Sequence, residues 1–180
     1  MQFAALKGID PDEVIQNKLP GKILALQQTA DYLKTNPSHL MTGTGMGNFS
    51  SKLAFKASAL DIAGYYPDKY AYIDPAFQEN HLALYLSFFT KREGLHSVIN
   101  TPHSVFDQMA GEYGLTGLAA FFILYILFFA KRIKKLSYGL PILVFMTGLF
   151  FTEYWFEQLS IVFLFELLMI LNRKELGEHA

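Results

Sequence analysis

The longest uncharged stretch of the sequence lies between Glu112 and Lys131 and consists mostly of large apolar residues. An apolar run of roughly eighteen residues or more can cross the hydrocarbon core of a bilayer as a helix. Residues 113–130 meet that length, and a basic cluster, residues 131–135, follows at once. Lysine and arginine are enriched at the cytoplasmic ends of membrane spans. This stretch therefore predicts a transmembrane helix whose carboxyl end lies in the cytoplasm.

The residues just before this span predict where its helix begins. Thr101 can accept a bond from a free backbone N–H, and Pro102 fits the first turn, where an N–H is not needed. We expect one uninterrupted helix from here to the basic cluster, with His103 in its first turn. The positive end of a helix dipole disfavours an imidazolium and attracts anions. His103 is therefore either a neutral, proton-accepting imidazole or a solvated histidine at the membrane interface.

The remainder of the sequence is too long to form one further span. No Lys or Arg occurs between residue 135 and Arg173. A single helix over that length would measure about 50 Å, against a hydrocarbon core of roughly 30 Å. We therefore expect two shorter spans, about 138–152 and 158–171, joined by a turn. Glu166 falls within the last span and is expected to face the helix bundle and find a partner there.

The predicted fold class is all-α and integral to a membrane. Two basic clusters on one side make that side cytoplasmic, so the region before the first span is extracytoplasmic. The predicted parts are an extracytoplasmic helical loop region, 1–112; about three transmembrane helices, 113–130, 138–152 and 158–171, within 113–172; and a cytoplasmic tail, 173–180.

The extracytoplasmic region contains an amphipathic helix followed by a glycine-rich loop. Residues 22–36 place Ile23, Leu26, Ala30 and Leu33 on one helical face. The loop contains the motif glycines Gly43, Gly45 and Gly47. It follows a helix rather than a strand and lacks a Gly-Lys-Ser/Thr end, which argues against a nucleotide site. Its glycines are expected to let the chain turn tightly.

The helix after the loop carries two lysines one turn apart. Asn48 or Ser50 is expected to cap this helix, and Lys52 and Lys56 lie on it. Such a pair is either a solvated face or a cationic clamp for a diphosphate. A further helix is predicted from Ala76 to Lys91-Arg92, too short to span and lying in the membrane interface.

Composition excludes several other classes of function. The net charge is −1 and no cysteine is present, so neither a nucleic-acid partner nor a thiolate metal site is indicated. His81, His96 and His103 lack the one-turn spacing of a helical zinc pair. We therefore predict no metal.

The amino terminus lacks the apolar core of a signal peptide. Nothing else in the sequence would carry the first region across a membrane. We therefore expect the chain to be the carboxy-terminal part of a larger multi-spanning protein, whose amino-terminal transmembrane helices would be partners of these spans. A complete small membrane protein is the alternative.

His103-Ser104, followed by Gly114 and Gly117 and leading directly into a span, resembles the signature of a family. This is the O-antigen ligase and polysaccharide polymerase superfamily of bacterial membrane glycosyltransferases. The loop of Gly43, Gly45 and Gly47 is similar to the glycine-rich loop that those proteins carry upstream of the histidine. The resemblance covers the extracytoplasmic loop and the last helices of such a protein.

The resemblance implies an inverting glycosyltransferase that works without metal or cofactor at the outer face of the bacterial inner membrane, as in lipopolysaccharide biosynthesis. The donor would be a glycan on a polyprenyl diphosphate such as undecaprenyl diphosphate. The acceptor would be a hydroxyl of lipid A core or of a growing repeat unit. His103 would be the catalytic base. The candidates for binding the diphosphate are Lys22, Lys52, Lys56, Lys91 and Arg92.

Two points remain open in the sequence. Some relatives carry an arginine where Lys22 stands, and lysine offers a point charge rather than a bidentate fork. Gly114 and Gly117 also suit close helix packing without any catalytic role.

The alternative function is a non-catalytic, membrane-anchored glycan-binding or assembly module, or an inactive truncated remnant. We expect the isolated chain to be inactive, because three spans offer little bundle for a lipid tail.

Overall fold

The structure is a computed structural model that describes residues 19–59, 70–88, 97–131 and 138–178. Within these residues every regular element is a helix, so the all-α prediction is confirmed there. Several of the predicted features fall outside the described residues: Lys91, Arg92, His96, four of the five residues of the basic cluster (132–135) and the stretch 60–69.

Within the described part of the chain, five helices precede the predicted span. They are α1 (Gly21–Thr35), α2 (Pro37–Thr42), α3 (Lys52–Ala57), α4 (Pro75–Asn80) and α5 (Leu82–Phe88). The prediction that Asn48 or Ser50 caps the helix after the glycine loop is wrong, because the cap is Ser51, whose hydroxyl accepts from the Ala54 N–H at 3.1 Å. The helix predicted from Ala76 to Arg92 is also interrupted, since α4 ends at Asn80 and His81 caps it.

The buried face of α1 differs from the predicted apolar face. Ile23 and Ala30 are exposed, whereas Lys22 and Thr29 are buried. The reason is that the inward face of α1 meets polar groups. Thr29 donates to the Asp107 carboxylate at 2.6 Å. A buried polar side chain is tolerated when it is hydrogen-bonded, and hydrophobic periodicity does not detect such a pairing.

The predicted membrane helix occupies residues 105–130 in three sections. They are α6 (Val105–Ala120), a π-helical stretch (Phe121–Ile126) and α7 (Leu127–Ala130). Among the described residues this is the one helix both long and apolar enough to cross a membrane. Only 17% of the most apolar 18-residue stretch of this helix is buried inside the protein. The core helix of a soluble protein would be mostly covered.

Two expectations about this helix are wrong. It begins at Val105 with Ser104 at the cap position, so Thr101 is not the cap and His103 lies before the first turn. It is also not continuous, because Gly114 has φ 65° and ψ −166° in the middle of α6. The kink forms where α6 meets the end of α2: a Cβ on Gly114 would lie 2.5 Å from the Met41 carbonyl oxygen.

The last two helices pack against the first span. They are α8 (Gly139–Thr152) and α9 (Leu159–Glu178), joined by a 3-10 turn (Trp155–Glu157). α9 continues past residue 173, where a separate tail was predicted. The Arg173 guanidinium lies 4.9 Å from the centre of the Phe128 ring, so the basic ends of α7 and α9 share one end of the bundle. The count of three spans and the cytoplasmic side stay predictions.

One apolar cluster joins α6, the π-helical stretch, α7, α8 and α9. Its buried members are Val105, Phe121, Phe129, Leu143, Met146, Phe150, Phe165 and Met169. Glu166 of α9 is half-buried and lies near Tyr125, which packs against this cluster. The π-helical stretch supplies Phe121 and Tyr125, which stack at 5.5 Å.

Replacing Gly114 by alanine tests the kink. Gly114→Ala forces a side chain into a left-handed conformation and against the Met41 carbonyl, so we expect the free energy of unfolding in detergent to fall by at least about 2 kcal/mol. Gly148→Ala is the matched control, since a Cβ there has no neighbour within 4 Å. The control should be neutral or stabilising. Equal stabilities of the two variants would contradict the kink.

Candidate functional site

Glu112 holds the glycine-rich loop against α6. Its fully buried carboxylate accepts N–H bonds from Gly47 at 2.8 Å, Phe49 at 3.2 Å and Ser51 at 3.1 Å. The backbone of α6 contributes as well, because its Gly111 and Glu112 carbonyls accept from the loop at 3.1 and 2.9 Å. Bonds from N–H groups to a carboxylate are stronger than neutral ones. The loop is therefore an anion-binding turn occupied by a carboxylate of the same chain.

The three loop glycines adopt conformations that other residues disfavour. Gly43, Gly45 and Gly47 have φ of 70°, 97° and 77°, which confirms that they let the chain turn tightly. Gly43 also lies against α6, since a Cβ there would be 2.3 Å from the Glu112 carbonyl. Gly114 faces the same junction from the helix, with the Gly43 nitrogen 2.7 Å from its Cβ position. The two glycine motifs thus pack backbone to backbone.

His103 lies in a pocket formed by the turn after α8. Its Nδ1 is 3.4 Å from the Glu153 carboxylate, and its side chain is 13% exposed. The imidazole stacks on the Tyr154 ring, with centroids 4.3 Å apart and planes inclined by 21°. The neighbouring Ser104 hydroxyl reaches the Phe150 carbonyl at 3.5 Å. The turn between two apolar helices thus supplies both an acidic and an aromatic partner for the histidine.

The position of Tyr154 is set by the segment that follows the glycine loop. Its hydroxyl and that of Tyr85 both donate to the Ser50 carbonyl, at 2.8 and 2.7 Å, and contact each other. Burial raises the pKa of Tyr154 well above its usual value, so the hydroxyl keeps its proton. The surface that stacks on His103 is therefore anchored to the loop that Glu112 holds.

The charge state of Glu153 suits the role of a partner for the imidazole. Burial acts to raise the pKa of Glu153, but the hydrogen bond and charge interaction with His103, the Tyr154 N–H and the Lys22 ammonium outweigh it. The pKa is lowered overall and the carboxylate is ionised at neutral pH. An ionised carboxylate accepts a bond from Nδ1–H. That bond favours the tautomer in which Nε2 carries the lone pair.

Lys22 is brought directly to this site. Its ammonium donates to the His103 carbonyl at 2.5 Å and to the Thr152 carbonyl at 2.9 Å. The residue is buried, and burial lowers the pKa of Lys22 to about 8 against the opposing charges of Glu153 and Asp107. A charged lysine at neutral pH thus lies behind the histidine.

A buried polar chain continues inward from Lys22. Thr29 donates to Asp107, so its oxygen is left to accept from His81 Nε2 at 3.1 Å. Burial lowers the pKa of His81 to about 3, so this histidine is neutral. The structure places His81 in this chain rather than in a metal site. Among the described residues, no group of three or more His, Asp or Glu side chains is arranged to hold a metal ion.

The other predicted cations are placed differently. Lys52 and Lys56 lie on the exposed face of α3, one turn apart. α3 packs through Phe55 against Tyr85, whose ring centre is 5.4 Å from that of His103. Lys91 and Arg92 fall outside the described residues. The structure thus brings Lys22, His103 and Ser104 together, whereas Lys52 and Lys56 are exposed residues of α3.

Sequence reasoning missed the residues that hold this site together: Asp107, Glu112, Glu153 and Tyr154. A signal existed for the last two, because residues 153–158 form a polar island between apolar runs. Glu112 is the last charged residue before the first span, which marks its position but not its partners.

Comparison with protein-family models, with curated proteins and with solved structures finds no match. Function must therefore be inferred from the residues of the site and from the helix that carries it.

Removing the Glu112 carboxylate tests its role in the loop. Glu112→Ala would leave three buried N–H groups without an acceptor, and each costs about 1–3 kcal/mol. We expect the free energy of unfolding to fall by at least about 3 kcal/mol. Glu79→Ala, at an exposed position of α4, is the control and should change stability by less than about 0.5 kcal/mol. Similar values for the two variants would show that Glu112 does not hold the loop.

Proposed function

We propose that this protein is a membrane glycosyltransferase of the O-antigen ligase or polysaccharide polymerase type. It transfers glycan from a polyprenyl diphosphate donor to a hydroxyl of a second glycan, at the outer face of the bacterial inner membrane. One observation carries this proposal. The two motifs on which the resemblance rests, the glycine loop and the His103 to Gly117 segment, pack as one unit at the head of the membrane helix.

A membrane position is supported by the exposed apolar surface of the spans. Leu124 is 74% exposed, and Ile123, Val144 and Phe145 are each at least 60% exposed. Single exposed apolar residues are common in soluble proteins, but a large contiguous patch indicates a membrane or partner surface. In the proposed arrangement lipid covers this surface. The polyprenyl tail of the donor would remain in the same apolar medium, with its diphosphate at the level of His103.

In the proposed reaction His103 is the general base. Nε2 takes the proton of the acceptor hydroxyl as the hydroxyl oxygen forms a bond to the anomeric carbon of the donor. The bond from that carbon to the diphosphate oxygen breaks, and the diphosphate leaves with the electron pair. Attack opposite the leaving group inverts the anomeric centre. Glu153 stabilises the imidazolium that forms, because its carboxylate lies 3.4 Å from Nδ1.

General base catalysis by a positioned histidine contributes about 10² to 10⁴ in rate. Stabilisation of the departing diphosphate must supply much of the rest, through preorganised positive groups. Lys52 and Lys56 are accessible for this role on the exposed face of α3, and Lys91 and Arg92 remain predicted contributors. Both the ligase and the polymerase share this chemistry and differ in the acceptor.

Substitution of His103 tests the proposed function. His103→Ala and His103→Gln should each reduce glycan transfer at least about 100-fold, measured in membranes supplied with a lipid-diphosphate donor and a glycan acceptor. Membrane insertion should be unchanged. The control is His39→Gln, since His39 lies on α2 and bonds to the Tyr32 hydroxyl. Undiminished transfer by the His103 variants would remove His103 from the mechanism.

A further inference from the structure

We infer that Lys22 is a positioning residue, which fixes the His103 backbone against the segment that carries Glu153, rather than a ligand of the diphosphate. The catalytic meaning of this role rests on the proposed function. The structural role of Lys22 does not depend on that function, because it concerns only how the ring of His103 is held. The family resemblance implied Lys22 as one candidate for binding the diphosphate, because some relatives carry an arginine at this place.

The Lys22 ammonium already uses most of its donors within the protein. A lysine ammonium has three N–H donors. Two of them bond to the carbonyl oxygens of His103 and Thr152, at 2.5 and 2.9 Å. Lys22 is 4% exposed. A diphosphate approaching from the aqueous side would have to open the protein and displace these bonds before it met the charge.

The ammonium joins the segment of His103 to the segment of Glu153. The His103 carbonyl belongs to the base itself, and Thr152 directly precedes Glu153. One buried cation therefore bonds to the backbone beside each member of the imidazole and carboxylate pair. Loss of the ammonium would leave two carbonyl groups without this donor and would remove the tie that holds the backbones of the two segments together.

The backbone of Lys22 is itself firmly held. The start of α1 sits on the loop that precedes His103. The Lys22 N–H donates to the Ile99 carbonyl at 3.2 Å, and the Gly21 N–H reaches the Asn100 side chain at 3.5 Å. Gly21 permits this approach, because a Cβ there would be 2.2 Å from the Asn100 carbonyl oxygen. The contact is backbone to backbone and leaves little freedom.

The charge of Lys22 is partly balanced by acidic side chains nearby. Burial makes an isolated cation costly, and here the negative charges of Glu153 and Asp107 offset part of that cost. Lys22 in turn helps to hold Glu153 ionised. The same residue therefore fixes the position of the pair and contributes to the charge on its acidic member.

The experiment compares Lys22→Met, which removes the ammonium at similar volume, with Lys22→Arg, which keeps donors and charge. The matched control is Lys34→Met, on the same helix, because the Lys34 side chain is 74% exposed. Glycan transfer is measured in detergent or membranes, and it gives kcat, the donor KM and the inhibition by inorganic diphosphate. The ¹⁵N NMR signals of the His103 ring are recorded as well and are assigned by their loss in His103→Gln.

For Lys22→Met we expect kcat to fall at least tenfold, with the donor KM and the inhibition by diphosphate unchanged within twofold. The His103 ring signals should shift, because the ring loses its fixed tautomer. Lys22→Arg should recover part of the kcat and of the ring signals, and Lys34→Met should match the unaltered protein.

A raised donor KM and weaker inhibition by diphosphate in Lys22→Met, with unaltered His103 signals, would overturn the inference and make Lys22 a phosphate ligand. If the unaltered protein transfers no glycan, the proposed function fails and the NMR signals alone decide: a shift in Lys22→Met supports the positioning role, and no shift overturns it. Lys22→Gln, which removes the charge but keeps an amide –NH₂ group, takes the place of Lys22→Met under the same criteria if that variant does not fold.

Discussion

The bonds from three backbone N–H groups to the Glu112 carboxylate are the interaction on which the rest of the structure depends. They fix residues 47–51, and Ser50 in this stretch offers the carbonyl that orients Tyr85 and Tyr154. Tyr154 in turn stacks on His103. A continuous chain of contacts therefore links a buried carboxylate in α6 to the imidazole just before that helix.

This arrangement explains why the helix is interrupted at Gly114. The glycine loop and the end of α2 approach α6 so closely that no side chain fits at Gly43 or Gly114. A regular helix would separate the two backbones, since the approach uses a left-handed residue in α6. The part of α6 before the kink carries the buried acidic residues Asp107 and Glu112, and the part after the kink is mostly apolar.

The sequence predicted the elements better than it predicted their contacts. Charge-free length identified the helix up to Ala130, and the glycines identified the tight loop, because both are local properties of the chain. The buried face of α1 was missed since Lys22 and Thr29 are stabilised by partners far along the chain, at His103 and Asp107. Hydrophobic periodicity assumes that only apolar side chains turn inward, and that assumption fails where a polar network fills the interior.

The same reason limited the prediction of the site. His103 was identified by a resemblance and by its place before the span, but its partner Glu153 lies fifty residues away. Lys22 was recognised as relevant from its position, whereas its bonds to two backbone carbonyls depend on how α1 docks. Long-range pairing of this kind is set by tertiary packing. A single sequence carries no direct record of it.

The central claim is that the His103 site lies on the extracytoplasmic side of a helix that crosses to a basic, cytoplasmic end. Single-cysteine labelling tests it most directly, because the chain contains no cysteine of its own. Exposed positions are present on both sides of the proposed membrane, Ser38 on α2 and Glu175 on α9. The account predicts that a membrane-impermeant maleimide labels Ser38→Cys in intact spheroplasts and labels Glu175→Cys only after permeabilisation. The reverse pattern would place the site in the cytoplasm and contradict the account.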